Sequence, residues 1–327
     1  MVIDATVGAD QLDRLAILLV PGFRLGELTL DALLAQTSTA LVYIARGGVF
    51  GDREGIVKLT GPEYAPCVHR ELTLLNGCAD AEVHGVVRPL RREALQVEVA
   101  SFKDGPVTAL LLPFLDGGDL VQWIGQHATR TGQLGPGAAL QVGEHVAVIL
   151  RNLLRLPRPL VHQDVKPQNV LFPYPDAPVR EVTLIDLDAS VTLDVPLAEF
   201  ATAPREIGEL LVDDVRGFGE LLFMLATGRE PPSEGVPNPD TGNTTFDLLV
   251  VTCMTSVADE RGYVCLADPG LWQQLYRAGE VEKVRQQKQR GVSGPMRYVM
   301  NRRSLAGIFA ILLLSLVVAV ASKLVVG

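Results

Sequence analysis

Two short apolar runs between Leu160 and Ser190 each end in a knot of charged and amide side chains. The first leads into His162-Gln163-Asp164-Val165-Lys166-Pro167-Gln168-Asn169. The second, Val182 to Ile185, leads into Asp186-Leu187-Asp188. Short apolar runs bounded by turn residues read as buried strands. Neighbouring strands of this kind would deliver an Asp, a Lys, an Asn and a second Asp to one place. Those groups suit the holding of a divalent cation and a transferring phosphoryl group beside an attacking hydroxyl.

The stretch resembles the catalytic loop and the metal-binding loop of protein kinases, written in that family as H-R-D-L-x-x-x-N and D-F-G. Here they stand as HQDVKPQN, with His, Asp and Asn at the family spacing, and as DLD, which keeps the leading Asp. The resemblance implies that ATP and Mg²⁺ (or Mn²⁺) are the cofactors. Asp164 would orient the substrate hydroxyl and accept its proton, and Lys166 would neutralise charge on the γ-phosphate. Asn169 and Asp186 would hold the metal. Gln163 replaces the arginine that in many kinases reads a phosphate on the activation segment. Activity is therefore expected not to require phosphorylation of Ser190, Thr192 or Thr202.

The preceding chain supplies matching pieces. Lys58 follows Ile56-Val57 as the lysine does in V-A-I-K, and Glu71 falls where the family places its helix glutamate. A Lys58–Glu71 pair would set the lysine on the α- and β-phosphates. The turn Gly47-Gly48-Val49-Phe50-Gly51 suits a hairpin rather than a phosphate loop, because it lies just before the Lys58 strand. Counting back from Val42 puts Ala35, Thr37 and Ala40 at the three glycine positions of the phosphate loop. Without glycine the backbone cannot approach phosphate as closely, but Thr37, Ser38 and Thr39 offer hydroxyl donors.

Val107 to Leu115 reads as a buried strand running into a linker. By resemblance Pro113 to Leu115 form the hinge against adenine, Leu112 flanks it and Asp119 meets the ribose. Residues 126–137 read as an exposed loop, with a helix from about Val142 to Leu156. Thr202-Ala203-Pro204-Arg205-Glu206 resembles the end of an activation segment, with either Arg205 or Glu206 in the place of its glutamate and Arg261 as the partner. Asp214 opens the central helix of the second lobe and would brace the catalytic loop.

Charge and hydropathy bound the setting. The net charge is −9, yet the segment from Val281 to Arg303 holds seven basic residues and one acid, so the rest is strongly acidic. An acidic body argues against nucleic acid as a partner. Leu305 to Ser322 is 18 residues without a charge, close to a membrane span, and the basic flank favours a cytoplasmic side. Cys67, Cys78, Cys253 and Cys265 form no C-x-x-C pair, which suits a reduced compartment. Asp4, Asp10 and Asp13 before the short run Leu15–Val20 do not suit a signal peptide. That run is expected to pack at the domain edge.

The expected architecture is a two-lobed α+β protein-kinase-like fold with a C-terminal transmembrane helix. Residues 1–23 form an extension and 24–278 the kinase domain, with the first lobe ending near 112 and the second beginning near 116. Residues 279–303 form a basic linker and 304–327 the anchor. The expected function is an ATP-dependent serine/threonine kinase on the cytoplasmic face of a membrane, contacting lipid and a protein substrate. The alternatives are a pseudokinase that acts as a binding module, and a small-molecule kinase.

Overall fold

The computed structural model describes residues 5–127, 134–178, 181–196, 199–200, 205–233, 235–256, 266 and 268–289. Contacts divide the chain into two compact units, Met1–Lys283 and Val284–Gly327, and of the second only residues 284–289 are described. Most of the expected linker, the expected span at 304–327, Arg261 and Thr202-Ala203-Pro204 lie outside the described residues. Among the described residues no helix is long and apolar enough to cross a membrane.

A six-stranded antiparallel sheet forms the smaller lobe. Its strands are β1 (Arg24–Leu25), β2 (Leu28–Gln36), β3 (Leu41–Gly47), β4 (Gly55–Thr60), β5 (Leu95–Val97) and β6 (Val107–Pro113), in the order β1-β2-β3-β4-β6-β5. Alternation along the strands separates two faces. On one, Tyr43, Ala45, Val57, Leu59, Ala109 and Leu111 share a buried core with Leu12, Leu15 and Leu19. Helix α1 (Ala5–Leu18) therefore covers this face. The sequence set residues 1–23 apart as an extension, but a sheet face this apolar needs a covering layer. Leu12, Leu15 and Leu19 are at most 1% exposed. Burial of such side chains contributes about 1.5–3 kcal/mol each, so α1 is part of the lobe.

The other face carries Val42, Ile44, Ile56, Lys58 and Leu112 toward a cleft. Helix α2 (Ala65–Asp80) packs beside them, burying Val68, Leu72 and Leu75 in one cluster with Leu110. The glycines at 47–51 serve the β3–β4 hairpin, as their spacing predicts. Gly47, Gly48 and Gly51 all take positive φ, and a Cβ on Gly47 would stand 2.4 Å from the Glu27 carbonyl oxygen. Consecutive turns of an antiparallel meander lie at opposite ends, so this hairpin points away from the β2–β3 turn.

The larger lobe is built from α3 (Leu120–His127), α4 (Pro136–Leu154), α5 (Arg205–Thr227), α6 (Thr244–Met254) and α7 (Pro269–Gln289). Helix α4 starts earlier than its apolar spacing suggested, because Pro136 sits in its first turn with φ already set. Helix α5 also starts early. The stretch read as the close of an activation segment is in part its first turn, where Arg205 pairs with Glu209 at 3.0 Å. Four two-residue strands complete the lobe: β7 (Leu160–Val161) pairs with β10 (Val191–Thr192), and β8 (Val170–Leu171) with β9 (Thr183–Leu184). The two apolar runs of the sequence are thus β7 and β9, and their pairings with β10 and β8 fix the segments between them.

Candidate active site

Between the sheet and the larger lobe lies a cavity of about 820 Å³. Its walls include ten of the twelve expected site residues: Ala35, Thr37, Lys58, Glu71, Pro113, Leu115, Asp119, Lys166, Asn169 and Asp186. Asp164 is hydrogen-bonded to two of these. Ala40 is the exception. It is 1% exposed, and its N–H donates to Thr37 Oγ1 at 3.0 Å, so it faces inward and not into the cavity.

Strand β4 carries Lys58 to the middle of the cavity. Its ammonium donates to Glu71 Oε2 on α2 at 2.8 Å and to Asp186 Oδ1 at 3.0 Å. The helix begins at Ala65, which places Glu71 in its second turn and in reach. Burial pulls the Lys58 ammonium down, but Glu71 and Asp186 outweigh it and hold its pKa above the ordinary lysine range. Burial pushes Glu71 up while Lys58 pulls it back.

Residues 162–169 form a second group. Asp164 Oδ2 accepts from Lys166 Nζ at 2.6 Å and from Asn169 Nδ2 at 2.9 Å. His162 is fully buried, and burial lowers its pKa. A carbonyl can only accept, so its Nε2–H donates to Ile185 O at 3.1 Å, leaving Nδ1 to accept from Asp164 N–H at 3.3 Å. A neutral imidazole thus joins the two motif segments. Asp214 on α5 accepts the N–H groups of His162 and Gln163 at 2.8 and 2.7 Å. Burial pushes its carboxyl up to about 6, against the pull of those two donors. Gly217, one turn along α5, lies so close that a Cβ would stand 2.8 Å from Val165 O. Gln163 and Asp186 both take positive φ (67° and 64°), which costs non-glycine residues energy and persists where surroundings over-determine it. The Gln163 amide donates to Leu210 O at 2.7 Å, so it is fastened to α5.

The donor set fits a hard divalent cation. Asn169 turns its NH₂ to Asp164 and Asp186 gives one oxygen to Lys58, which leaves Asn169 Oδ1 and Asp186 Oδ2 for the cavity. Two oxygen ligands with phosphates and water completing the shell is the usual Mg²⁺ arrangement, and needs no all-protein cage. Among the described residues there is none.

Two of the three hydroxyls expected as donors in the β2–β3 turn, those of Thr37 and Thr39, are used within the protein. Thr37 Oγ1 accepts from the N–H groups of Thr39 and Ala40, and Thr37 N–H donates to Ala40 O at 2.8 Å. The Thr39 hydroxyl donates to Asp188 Oδ2 at 3.1 Å. A turn without glycine has closed on its own side chain, so those N–H groups and the Thr39 hydroxyl are committed within the protein. At the linker, Asp119 caps α3 by accepting from Gln122 N–H at 2.8 Å, and has a second oxygen for a ligand.

No family model matches the chain, and neither does any curated protein. Among solved structures it resembles one described as the crystal structure of BubR1 kinase domain. The TM-score is 0.56 at 16% sequence identity, over 81% of this chain and 86% of that one. The fold is kinase-like. Sequence reasoning missed Val42, Ile44, Ile56, Leu171 and Ile185, which line the cavity. Strand alternation could have found the first three, because they share a face with Lys58. Nothing in a two-residue strand such as β8 marks Leu171. Asp116 and Gln122 were also missed, although both flank the linker.

Proposed function

We propose that this chain is an ATP- and metal-dependent protein kinase acting on serine or threonine hydroxyls. The carrying observation is that Lys58, fixed between Glu71 and Asp186, and the Asp164–Lys166–Asn169 group serve one cavity in a kinase-like fold. Adenine would lie between Ile56 and the linker Pro113–Leu115, with Asp119 toward the ribose. Lys58 would hold the α- and β-phosphates. Asn169 and Asp186 would hold Mg²⁺ or Mn²⁺, which when bound neutralises charge on the phosphates. Asp164 would orient the attacking hydroxyl and take its proton, while Lys166 offsets charge on the transferring group. Lys166 two places after Asp164, and Pro167 after it, favour a protein hydroxyl over a small molecule. Transfer of labelled γ-phosphate to an acid-stable protein phosphoester tests this reading.

One observation favours a binding module instead: the β2–β3 turn has used up N–H groups that would otherwise meet phosphate. Detectable nucleotide binding without any transfer would support that reading.

The geometry of Gln163 bears on regulation. Its amide is held by α5, and Ser190 is fully buried with its hydroxyl donating to His162 O at 3.1 Å. Ser190 is therefore a structural residue. Replacing Thr192 and Thr202 together with Ala should leave basal activity within about threefold. A collapse that prior phosphorylation prevents in the wild type would contradict this.

The cytoplasmic membrane face is part of the proposal. It rests on the uncharged run Leu305–Ser322 and the basic residues before it. The full chain should sediment with membranes and resist carbonate extraction, and removal of 304–327 should release it. A full chain that stays in the supernatant would contradict the anchor.

A further inference from the structure

The β2–β3 turn is fastened at one residue from three directions. The Thr39 carbonyl oxygen accepts from the hydroxyl of buried Thr60 on β4 at 2.7 Å. Its N–H donates to Thr37 Oγ1 at 3.3 Å. Its own hydroxyl crosses the cleft to Asp188 Oδ2 at 3.1 Å, a contact 149 residues apart in sequence. Asp188 is in turn held by its backbone. The Arg70 guanidinium on α2 donates to the carbonyl oxygens of Asp188 and Ser190. The segment from Asp186 to Ser190 is thus tied to α2 by Arg70, to β4 through Lys58 and to the turn by Thr39.

We propose that Thr39 and Asp188 form a latch across the cleft, which holds the β2–β3 turn down over its phosphate end. Asp188 is then a positioning residue through Oδ2, the oxygen that Thr39 engages. A turn held in place beforehand needs no ordering when a ligand arrives. Breaking the latch frees the turn, opens the phosphate end to water and lets nucleotide leave faster. The effect on affinity rests on the kinase reading; the latch itself does not.

The test uses the full-length chain and four variants: Thr39→Val, Asp188→Ala, the two combined, and Asp188→Asn, which keeps an acceptor oxygen. Without ligand, amide hydrogen exchange should quicken at residues 37–40 and 187–190 together in Thr39→Val and in Asp188→Ala. The double variant should add little to either, while Asp188→Asn stays near wild type. With ADP and no metal, each of the first two should raise Kd roughly threefold to tenfold, again without adding in the double variant. Additive effects, or quickening confined to the mutated segment, would overturn the latch. So would a loss of affinity in Asp188→Asn that appears only with Mg²⁺ while Thr39→Val is silent, which marks a metal ligand. If the wild type binds no ADP, the kinase reading fails, and the exchange pattern still decides the latch.

Discussion

Lys58→Met is expected to lower the thermal midpoint by roughly 10 °C and to abolish phosphoryl transfer. In the wild type one ammonium answers two carboxylates, at 2.8 and 3.0 Å, and both Lys58 and Glu71 are buried. Removing the cation leaves Glu71 without compensation in a site 2% exposed. Breaking a buried pair from one side costs about 3–5 kcal/mol, and at about 2–4 °C per kcal/mol for a domain of this size that is a large shift. The loss should also depend on pH. Burial already pushes Glu71 up, and Lys58 is what pulls it back. Without Lys58 its folded pKa rises further above the unfolded value of about 4.3. A carboxyl raised in the fold takes up protons on folding, so its contribution falls as pH increases through the folded value. The gap between variant and wild type should therefore be wider at a pH well above that unfolded value than at a pH close to it. Lys58→Met combined with Glu71→Gln should recover much of the loss, because no buried charge remains unanswered. Melting curves at the two pH values check all three statements. A gap that narrows with pH would mean that Glu71 is not the group left unpaired.

The kinase-like fold was legible because chemistry and periodicity agreed at a few positions. HQDVKPQN and DLD stand where short strands end, and β7, β8 and β9 bring them together. Lys58 and Glu71 were found because each stands where the kinase motif places it, and α2 brings the second within reach of the first. The role of α1 was less legible. Leu12, Leu15 and Leu19 carry a helical period, but nothing local says that a sheet face further along the chain lacks a cover. The β2–β3 turn was legible as a departure from glycine and illegible in its consequence. That Thr37 would cap its own turn, and that Thr39 would reach Asp188, depends on tertiary distance alone. The same holds for Gln163. Its identity showed that a phosphate reader was missing, and only the approach of Leu210 shows what the amide does.

The most direct test of the account is γ-phosphate transfer by the wild type against Asp164→Asn, with nucleotide affinity measured on both. Asp164 Oδ2 is held by Lys166 at 2.6 Å and Asn169 at 2.9 Å, so the other oxygen is left for a substrate hydroxyl. An amide of the same shape keeps most of this frame, but it cannot take a proton and is a weaker acceptor. Positioned proton transfer contributes typically about 10²–10⁴-fold. The wild type is expected to label serine or threonine in a Mg²⁺- or Mn²⁺-dependent way. Asp164→Asn is expected to lose at least about 100-fold, with ATP affinity changed by no more than about threefold. Equal transfer by the two proteins, or none by a wild type that binds ATP, would contradict this.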